Sequence, residues 1–323
     1  MKVRQFADGC EVSQPLLVRD VELCRLQDGG TYLLLTLGDR TGIVRAVLWN
    51  GVEEAQALCR PGTTVHASGR YRGDARHGPQ LELARVRRVR AGEHRPDELL
   101  GGPARGPEQM EADLRELIAT VQDPHLRRLL AAVFGEGSST WDVYRDAPAA
   151  KRYHQAYRHG LLEHSLGVAQ AVSAISATFP GIDRDVAVCG ALLHDIGKLE
   201  AYELVGDAIS MSDRGRLFGE ISLGYYRVRR AIERLDGFPP ELEQSVLHII
   251  LSHHGSLEYG SPVVPCTREA TLVHMIDNLG GRLGSFDRLE QELPAGERWT
   301  AYDKALGAGA YFAQRAGARR EAA

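Results

Sequence analysis

The chain has 323 residues, of which 43% are hydrophobic and 25% charged, with a formal net charge of −4. This length suffices for two ordinary globular domains, and the composition excludes a disordered or fibrous protein. No apolar run approaches the roughly 20 residues that cross a bilayer, and the first residues lack the apolar stretch of a signal peptide, so we expect a cytoplasmic protein without membrane partners. The five cysteines are never arranged as CxxC, which argues against a disulfide framework and against a thiolate zinc site.

Residues 16–89 have the pattern of β-strands. Val52–Cys59 predicts a short helix between the third and fourth of them, and clusters of Gly, Asp and Pro predict turns at residues 28–30, 39–42 and 73–79. Five segments are rich in Val, Leu, Tyr or Thr, and several alternate apolar with polar residues: LLVRDVELCRL, TYLLLTL, IVRAVLW, TTVHASGRYR and QLELARVRRV. This order of elements is that of a five-stranded OB-fold β-barrel.

The charge of the chain is divided unevenly. Residues 1–95 hold 15 basic and 11 acidic side chains, whereas the remainder holds 24 and 32. Nine arginines fall in residues 60–95, against Asp74, Glu82 and Glu93. Such a basic stripe would attract a phosphate backbone, although a solvated arginine-rich surface explains the same count.

Residues 91–107 are rich in Gly, Pro and charged side chains, a composition typical of an inter-domain linker. We therefore predict an OB-fold domain at residues 1–92, a linker at 93–107 and a second domain at 108–323.

Beyond the linker the spacing of apolar residues becomes helical. Seven segments carry an apolar stripe at i, i+3 and i+4: MEADLRELIATV, HLRRLLAAVF, LLEHSLGVAQAVSAI, DVAVCGALLHDIGK, ISLGYYRVRRAIERL, LEQSVLHIILSHH and EATLVHMIDNLGGRL. The second domain is therefore predicted to be an all-α bundle.

Leu192–Lys198 places an adjacent His-Asp pair at the end of an apolar helix. Imidazole and carboxylate groups side by side can both ligate a divalent ion there. A single pair is a weak signal, but Glu163–His164, Ser252–Gly255 and Asp277–Asn278 carry similar groups on other predicted helices. Four helices of a bundle can direct such groups at one point.

The order H…HD…HH…D resembles the HD superfamily of metal-dependent phosphohydrolases. Longer strings resemble YhaM-type 3′-5′ exoribonucleases, which also place an OB-fold before an HD domain: GLLEHSLGVA, LLHDIGKLE, ILSHHGSLEYGSPVVPCTREA, HMIDNLGGRL and WTAYDKALG. The resemblance covers roughly the whole chain, and residues 253–278 are its most distinctive part.

The resemblance implies four ligands for a primary divalent metal, namely His164, His194, Asp195 and Asp277. It implies that His253 and His254 line a second metal or the scissile phosphate, so that one or two ions bind each chain. A mixed imidazole and carboxylate set suits Mn²⁺, with Mg²⁺, Co²⁺ and Fe²⁺ as alternatives, better than a structural zinc. Lys198 is a candidate for a phosphate contact, so that the expected catalytic residues are Asp195, Lys198, His253 and His254.

Glu220 stands where relatives typically have a histidine. A carboxylate can also ligate Mn²⁺ or Mg²⁺, which would place Glu220 with His253 and His254 in a second metal site. Alternatively, Glu220 is an acid in the first turn of a helix, or takes part in proton transfer to the leaving oxygen.

Three further histidines lie near these motifs. His274, three residues before Asp277 among apolar neighbours, is expected to be a packing residue or a partner of a ligand. His154 and His159 flank Tyr157 and are equally compatible with the site and with the surface.

We predict a metal-dependent 3′-5′ exonuclease that hydrolyses single-stranded RNA, with single-stranded DNA as a second substrate. The barrel would hold the strand through charge and stacking, with these candidates: Tyr32, Trp49, Arg70, Tyr71, Arg72, Arg85, Arg87 and Arg88. Tyr32 and Trp49 equally suit a core.

Two other functions stay open at this point. One is an HD-type nucleotidase or cyclic-nucleotide phosphodiesterase that uses its OB domain for assembly. The other is a non-catalytic RNA-binding protein with a degenerate HD site. The sequence also leaves open whether the chain forms a homo-oligomer.

Overall fold

The fold is described from a computed structural model of the chain. The structure describes residues 1–26, 29–73, 78–90, 92–94, 99, 101–103, 105–151, 155–205, 208–293, 296–304 and 306–313. The predicted turn residues 28 and 74–77, and much of the predicted linker, lie outside these ranges.

The first part of the chain is a closed five-stranded barrel, which confirms the OB-fold prediction. Its strands are β1 (Glu11–Arg25), β2 (Thr31–Asp39), β3 (Gly42–Leu48), β4 (Thr64–Arg72) and β5 (Gln80–Arg88), with helix α1 (Val52–Leu58) between β3 and β4. The barrel order is β1-β2-β3-β5-β4, and only the β3–β5 pair is parallel.

Side-chain alternation fixes which face of each strand is buried. In β2, Leu33, Leu35 and Leu37 are fully buried in the barrel, so Tyr32 and Leu34 point away from it. The pairing of β4 with β5 shifts register between Ser68 and Gly69. A Cβ added to Gly69 would lie 2.1 Å from the carbonyl oxygen of Glu82. Glycine is therefore required at this bulge.

The second part of the chain is helical, as predicted. Its helices are α2 (Pro107–Ala119), α3 (Pro124–Phe134), α4 (Ser139–Asp146), α5 (Gly160–Ser176), α6 (Arg184–Leu193), α7 (Lys198–Ala201), α8 (Asp213–Phe218), α9 (Glu220–Ile232), α10 (Pro240–Ser252) and α11 (Arg268–Glu292). One contiguous apolar core contains buried residues from eight helices: α2, α3, α4, α5, α6, α9, α10 and α11. At the start of four of these helices the N-cap side chain accepts a backbone N–H group: Asp123 for α3, Asp183 for α6, Ser212 for α8 and Thr267 for α11.

The helical part also contains a hairpin that the sequence analysis did not predict, formed by β6 (Tyr202–Val205) and β7 (Ala208–Met211). Its strands are four residues long, too short for period-2 alternation to be recognised. Among the described residues, no helix is both long enough and apolar enough to cross a membrane.

Candidate metal centre

Three helices bring the four predicted ligands together. His164 lies in the second turn of α5, and Asp277 lies near the middle of α11. His194 and Asp195 occupy the turn directly after α6, where both side chains are almost completely buried. The two polar residues that directly follow the apolar run of α6 are therefore placed in the interior.

The ligand atoms converge on a small volume. His164 Nε2 lies 3.2 Å from Asp195 Oδ2, 3.1 Å from Asp277 Oδ1 and 3.2 Å from His194 Nε2. His194 Nε2 lies 3.3 Å from Asp195 Oδ2 and 3.9 Å from Asp277 Oδ1. Atoms of His164, His194 and Asp277 all lie within 4.8 Å of one another, as do atoms of His194, Asp195 and His253. Both sets have the size and chemistry of a divalent-metal site.

Backbone carbonyls fix the tautomer of the histidines. His194 Nδ1 donates to the carbonyl of Ala191 at 2.7 Å, and His253 Nδ1 donates to that of Ile250 at 2.8 Å. Because a carbonyl can only accept, the proton of each neutral ring lies on Nδ1, and Nε2 offers its lone pair. Metal-binding histidines are oriented in the same way.

Two buried atoms at this centre have no hydrogen-bond partner among the described residues, Asp195 Oδ1 and His253 Nε2. They lie 3.6 Å apart, and both side chains are nearly inaccessible to solvent. Burying a carboxylate oxygen and an imidazole lone pair without partners is costly. Both atoms are acceptors, so one divalent cation would satisfy both.

Glu220 and His254 lie at the more open side of the centre. His254 Nε2 is 3.8 Å from Glu220 Oε1, while His254 Nδ1 donates to the carbonyl of Tyr259 at 2.8 Å. Glu220 is also the first residue of α9, where a negative charge interacts favourably with the helix dipole. The structure thus brings Glu220 to the site and also gives it the helix-start position.

Lys198 contacts the ligand set directly. Its Nζ lies 2.7 Å from Asp195 Oδ2. Burial opposes protonation, but the attraction of Asp195 outweighs it and raises the pKa of Lys198. Burial likewise works against ionised Asp195, yet Lys198 and His194 hold the pKa of that carboxyl well below its usual range. The pair therefore stays ionised at neutral pH.

Two carboxylates surround His164. Burial disfavours its charged form, but hydrogen bonds to Asp195 and Asp277 outweigh burial and raise its pKa to about 9. The same contacts lower the pKa of Asp277 against the effect of burial. The negative potential that charges an imidazole here also attracts a cation.

Two glycines that the sequence analysis did not assign shape the centre. A Cβ on Gly197 would lie 1.9 Å from the carbonyl oxygen of Glu220, so this glycine lets the turn after Asp195 pack against the start of α9. A Cβ on Gly255 would overlap the ring of His274, whose Nδ1 donates to the carbonyl of His253 at 2.7 Å. The sequence could have indicated these two positions, because one glycine directly follows His194-Asp195-Ile196 and the other directly follows His253-His254.

In the described part of the chain, no hydrogen bond or ion pair joins His159 to a proposed ligand. His159 has a left-handed backbone at the start of α5, and its Nδ1 donates to the carbonyl of Arg145. His154 lies outside the described residues.

The predicted aromatic contacts of the barrel separate into two environments. The rings of Tyr32 and Trp49 lie 4.7 Å apart on the outer face of β2 and β3, and Trp49 is 48% exposed. Tyr71 instead packs on the barrel core, with its ring against Phe6. Of these three rings Trp49 is the most exposed, and the ring of Tyr32 lies beside it.

Three of the five candidate RNA-binding arginines in the basic stripe are paired with acids. Ion pairs join Arg70 to Glu11, Arg72 to Glu82 and Arg87 to Glu93. Arg85 and Arg88 are exposed, and the described part of the chain contains no ion pair with either. The stripe is thus much less basic than its composition suggests.

Two families match parts of this chain. Residues 161–281 match the HD domain, and residues 17–89 match the OB-fold nucleic acid binding domain. The HD match contains all six candidate histidine and aspartate positions, from His164 to Asp277.

Curated relatives match almost the full length. The 3′-5′ exoribonuclease YhaM of Bacillus subtilis is 30% identical over 294 residues, which cover 90% of each chain. The protein of the same name from Shouchella clausii is 29% identical over 300 residues, 91% of each chain. By its two domains and this full-length similarity, the chain belongs to the YhaM family of 3′-5′ exoribonucleases.

Proposed function

We propose that this chain is a metal-dependent 3′-5′ exoribonuclease that hydrolyses the terminal phosphodiester bond of single-stranded RNA. The observation that carries the proposal is the buried pair Asp195 Oδ1 and His253 Nε2, two acceptors without protein partners beside three further ligand side chains. The relatives are named 3′-5′ exoribonucleases, which supports the direction and the substrate.

The proposed ligands of the primary ion are His164, His194, Asp195 and Asp277. When bound, such an ion lowers the pKa of water and offsets negative charge on phosphoryl oxygens. Imidazole and carboxylate ligands together favour Mn²⁺, with Mg²⁺, Co²⁺ and Fe²⁺ as the other candidates. His253, His254 and Glu220 form the proposed second position, in which His253 is buried and His254 and Glu220 lie at the more accessible side of the same centre.

Lys198 has a positioning role in this proposal. Its ammonium group holds Asp195 Oδ2, so the opposite oxygen of that carboxylate is directed towards His253. The ion pair also keeps Asp195 deprotonated, as a metal ligand must be. A phosphate contact would require Lys198 to give up part of this bond.

The barrel is proposed to bind the RNA strand upstream of the cleaved end. Tyr32 and Trp49 offer the accessible stacking surface on the strands that OB-folds use for oligonucleotides, and Arg85 and Arg88 offer charge without a competing acid. We propose domain boundaries at residues 92 and 107. The five free cysteines and an RNA substrate suit the reducing cytoplasm.

The test uses single-stranded RNA labelled at either end, with Mn²⁺ or with chelator. We expect the 5′-labelled RNA to shorten progressively and the 3′-labelled RNA to lose its label in the first step, both only with metal. Hydrolysis of mononucleotides with no attack on RNA, or shortening of RNA from the 5′ end, would contradict the proposal.

A further inference from the structure

The segment after α11 exposes three aromatic side chains. Trp299, Tyr302 and Tyr311 have exposed fractions of 62%, 72% and 48%. Trp299 and Tyr311 face each other across an isolated antiparallel bridge, with ring centroids 5.0 Å apart. Aromatic side chains grouped on a surface in this way mark an interaction site more often than a packing need.

This segment is attached firmly to the second half of α11. Arg288 Nη2 lies 2.5 Å from Asp303 Oδ2, and Arg282 Nη2 donates to the carbonyl of Leu306 at 3.1 Å. Phe286 packs edge-on against Phe312 at 6.2 Å. The exposed rings are therefore presented by a fixed backbone.

The same helix leads from these rings to the metal centre. Arg288 follows Asp277 by three helical turns on one face of α11, about 16 Å along its axis. Gly280 and Gly281 lie between them on that face, and a Cβ on either would meet nothing within 4 Å. Glycine is less favourable than alanine inside a helix, and the described neighbours of these two positions leave room for a side chain. Because neither glycine has a side chain, an RNA strand can approach the backbone of α11 closely beside Asp277.

The charge around the rings suits a phosphate backbone. Arg298 and Lys304 are exposed, and among the described residues neither has an ion pair. Asp303 is neutralised by Arg288, and Glu297 is the remaining acid within residues 296–304. Exposed aromatic rings interleaved with unpaired cations are the pattern of surfaces that bind single-stranded nucleic acid.

We propose that Trp299, Tyr302 and Tyr311 form a stacking platform for unpaired nucleotides of the RNA, close to the end that is hydrolysed. Arg298 and Lys304 contact its phosphates, and the strand reaches the metal centre over Gly280 and Gly281. This inference rests on the proposed exoribonuclease function and adds to it a second RNA-binding surface, separate from the barrel.

The test compares the triple variant Trp299→Ala/Tyr302→Ala/Tyr311→Ala with the wild type on a dinucleotide and on a long single-stranded RNA. The control is Phe179→Ala/Tyr226→Ala, which removes rings with exposed fractions of 57% and 55% elsewhere on the helical part. We expect KM for the long RNA to rise at least roughly 10-fold, as loss of base–aromatic stacking implies, with unchanged turnover of the dinucleotide. The control should match the wild type on both substrates.

A second variant covers the case in which the triple variant does not fold. Tyr302→Ala removes one exposed ring, and Tyr302→Phe keeps it, so KM for the long RNA should rise in the first and recover in the second.

Equal KM values for the long RNA in the wild type and both alanine variants would overturn the platform. So would unchanged RNA kinetics together with dissociation of an oligomer in light scattering, since the rings would then form a subunit contact. A wild-type enzyme that leaves both substrates intact would instead contradict the proposed function.

Discussion

At the scale of single residues, the centre depends on carbonyl groups that lie behind the histidines. His194 and His253 each follow the last turn of a helix, and each donates Nδ1–H to a carbonyl three residues earlier. These carbonyls have no intrahelical partner at a helix end, so the ring satisfies them and at the same time directs Nε2 inward. Helix termination and ligand orientation are thus one arrangement.

Asp277→Asn is expected to abolish most activity while leaving the fold intact. The amide has the same shape as the carboxylate but lacks its charge, and Asp277 lies at the rim of the buried set, where it is 19% exposed. RNA hydrolysis should fall by at least about 100-fold, the upper end of the cost of losing a group that supports a metal. The affinity for Mn²⁺, measured by calorimetry, should fall in parallel.

The control for this substitution is Asn278→Ala, at the next and exposed position of α11. It should keep both metal affinity and turnover. If Asp277→Asn hydrolyses RNA at the wild-type rate, Asp277 is not a ligand. Asp195 is less suitable for this test, because its removal leaves the Lys198 ammonium buried without a partner and destabilises the fold.

Glu220→His should preserve hydrolysis and move the metal preference away from Mg²⁺. Glu220 Oε1 and His254 Nε2 already lie 3.8 Å apart, and an imidazole at position 220 replaces a hard oxygen ligand by a softer nitrogen. The ratio of activity with Mg²⁺ to activity with Mn²⁺ measures the change. Glu220→Ala should lower the number of metal ions bound per chain.

If wild type and Glu220→Ala bind the same number of ions with equal turnover, Glu220 serves only the start of α9. A Glu241→Ala variant controls for loss of a first-turn acid, since Glu241 lies in the first turn of α10 and contacts no proposed ligand in the described part of the chain.

At the scale of elements, local patterns predicted what local forces determine. The alternation of Leu33, Leu35 and Leu37 fixed β2, and the apolar stripes predicted seven helices close to their observed positions. Helices α4, α7 and α8 and the β6–β7 hairpin were not predicted, because each is short and depends on packing against its neighbours. The pairing of Glu220 with His254 is of the same kind, since 33 positions separate them in the chain.

The barrel should lose stability at low pH because Glu93, which follows β5, becomes protonated. Hydrogen bonds from Arg87 and from the backbone of Arg90 hold the pKa of Glu93 below its usual value. A depressed pKa in the folded state gives a contribution to stability that is fully present well above the unfolded-state pKa of about 4.3 and is lost as the pH falls through the folded-state pKa. Wild type should therefore melt above Glu93→Gln at neutral pH, and the difference should begin to shrink below about pH 5 and continue to shrink as the pH falls further.

Glu82→Gln is the matched control, since its ion pair with Arg72 has side chains 44% and 54% exposed. Such a pair contributes little, so melting of this variant should follow the wild type at every pH. Hydrogen exchange of residues 80–88 would assign the effect to β5. A melting difference between wild type and Glu93→Gln that does not change with pH would show that the Glu93 carboxylate is not its source.

At the scale of the whole molecule, composition predicted least well where the unpaired positive charge lies within residues 1–95. The sequence count gives residues 1–95 an excess of four positive charges. In the fold, three of the five candidate arginines meet glutamates that come from β1, β5 and the residues after β5. Which arginines are neutralised depends on strand register, and composition contains no information about register.

Reversing the charge of Arg85 and Arg88 should therefore weaken RNA binding and flatten its salt dependence. Each phosphate contact with a single strand contributes about 0.7 to the slope of log K against log salt, so Arg85→Glu/Arg88→Glu should reduce that slope by roughly 1.4. The comparison is Arg70→Glu, whose guanidinium already lies 2.5 Å from Glu11 Oε1 and is neutralised before RNA arrives. Fluorescence anisotropy of a labelled single-stranded RNA, in chelator to prevent cleavage and over a series of salt concentrations, gives both slopes. A larger loss of slope in Arg70→Glu than in Arg85→Glu/Arg88→Glu would mean that RNA displaces Glu11 from Arg70, and that the strand crosses β1 and β4 instead of the unpaired arginines of β5.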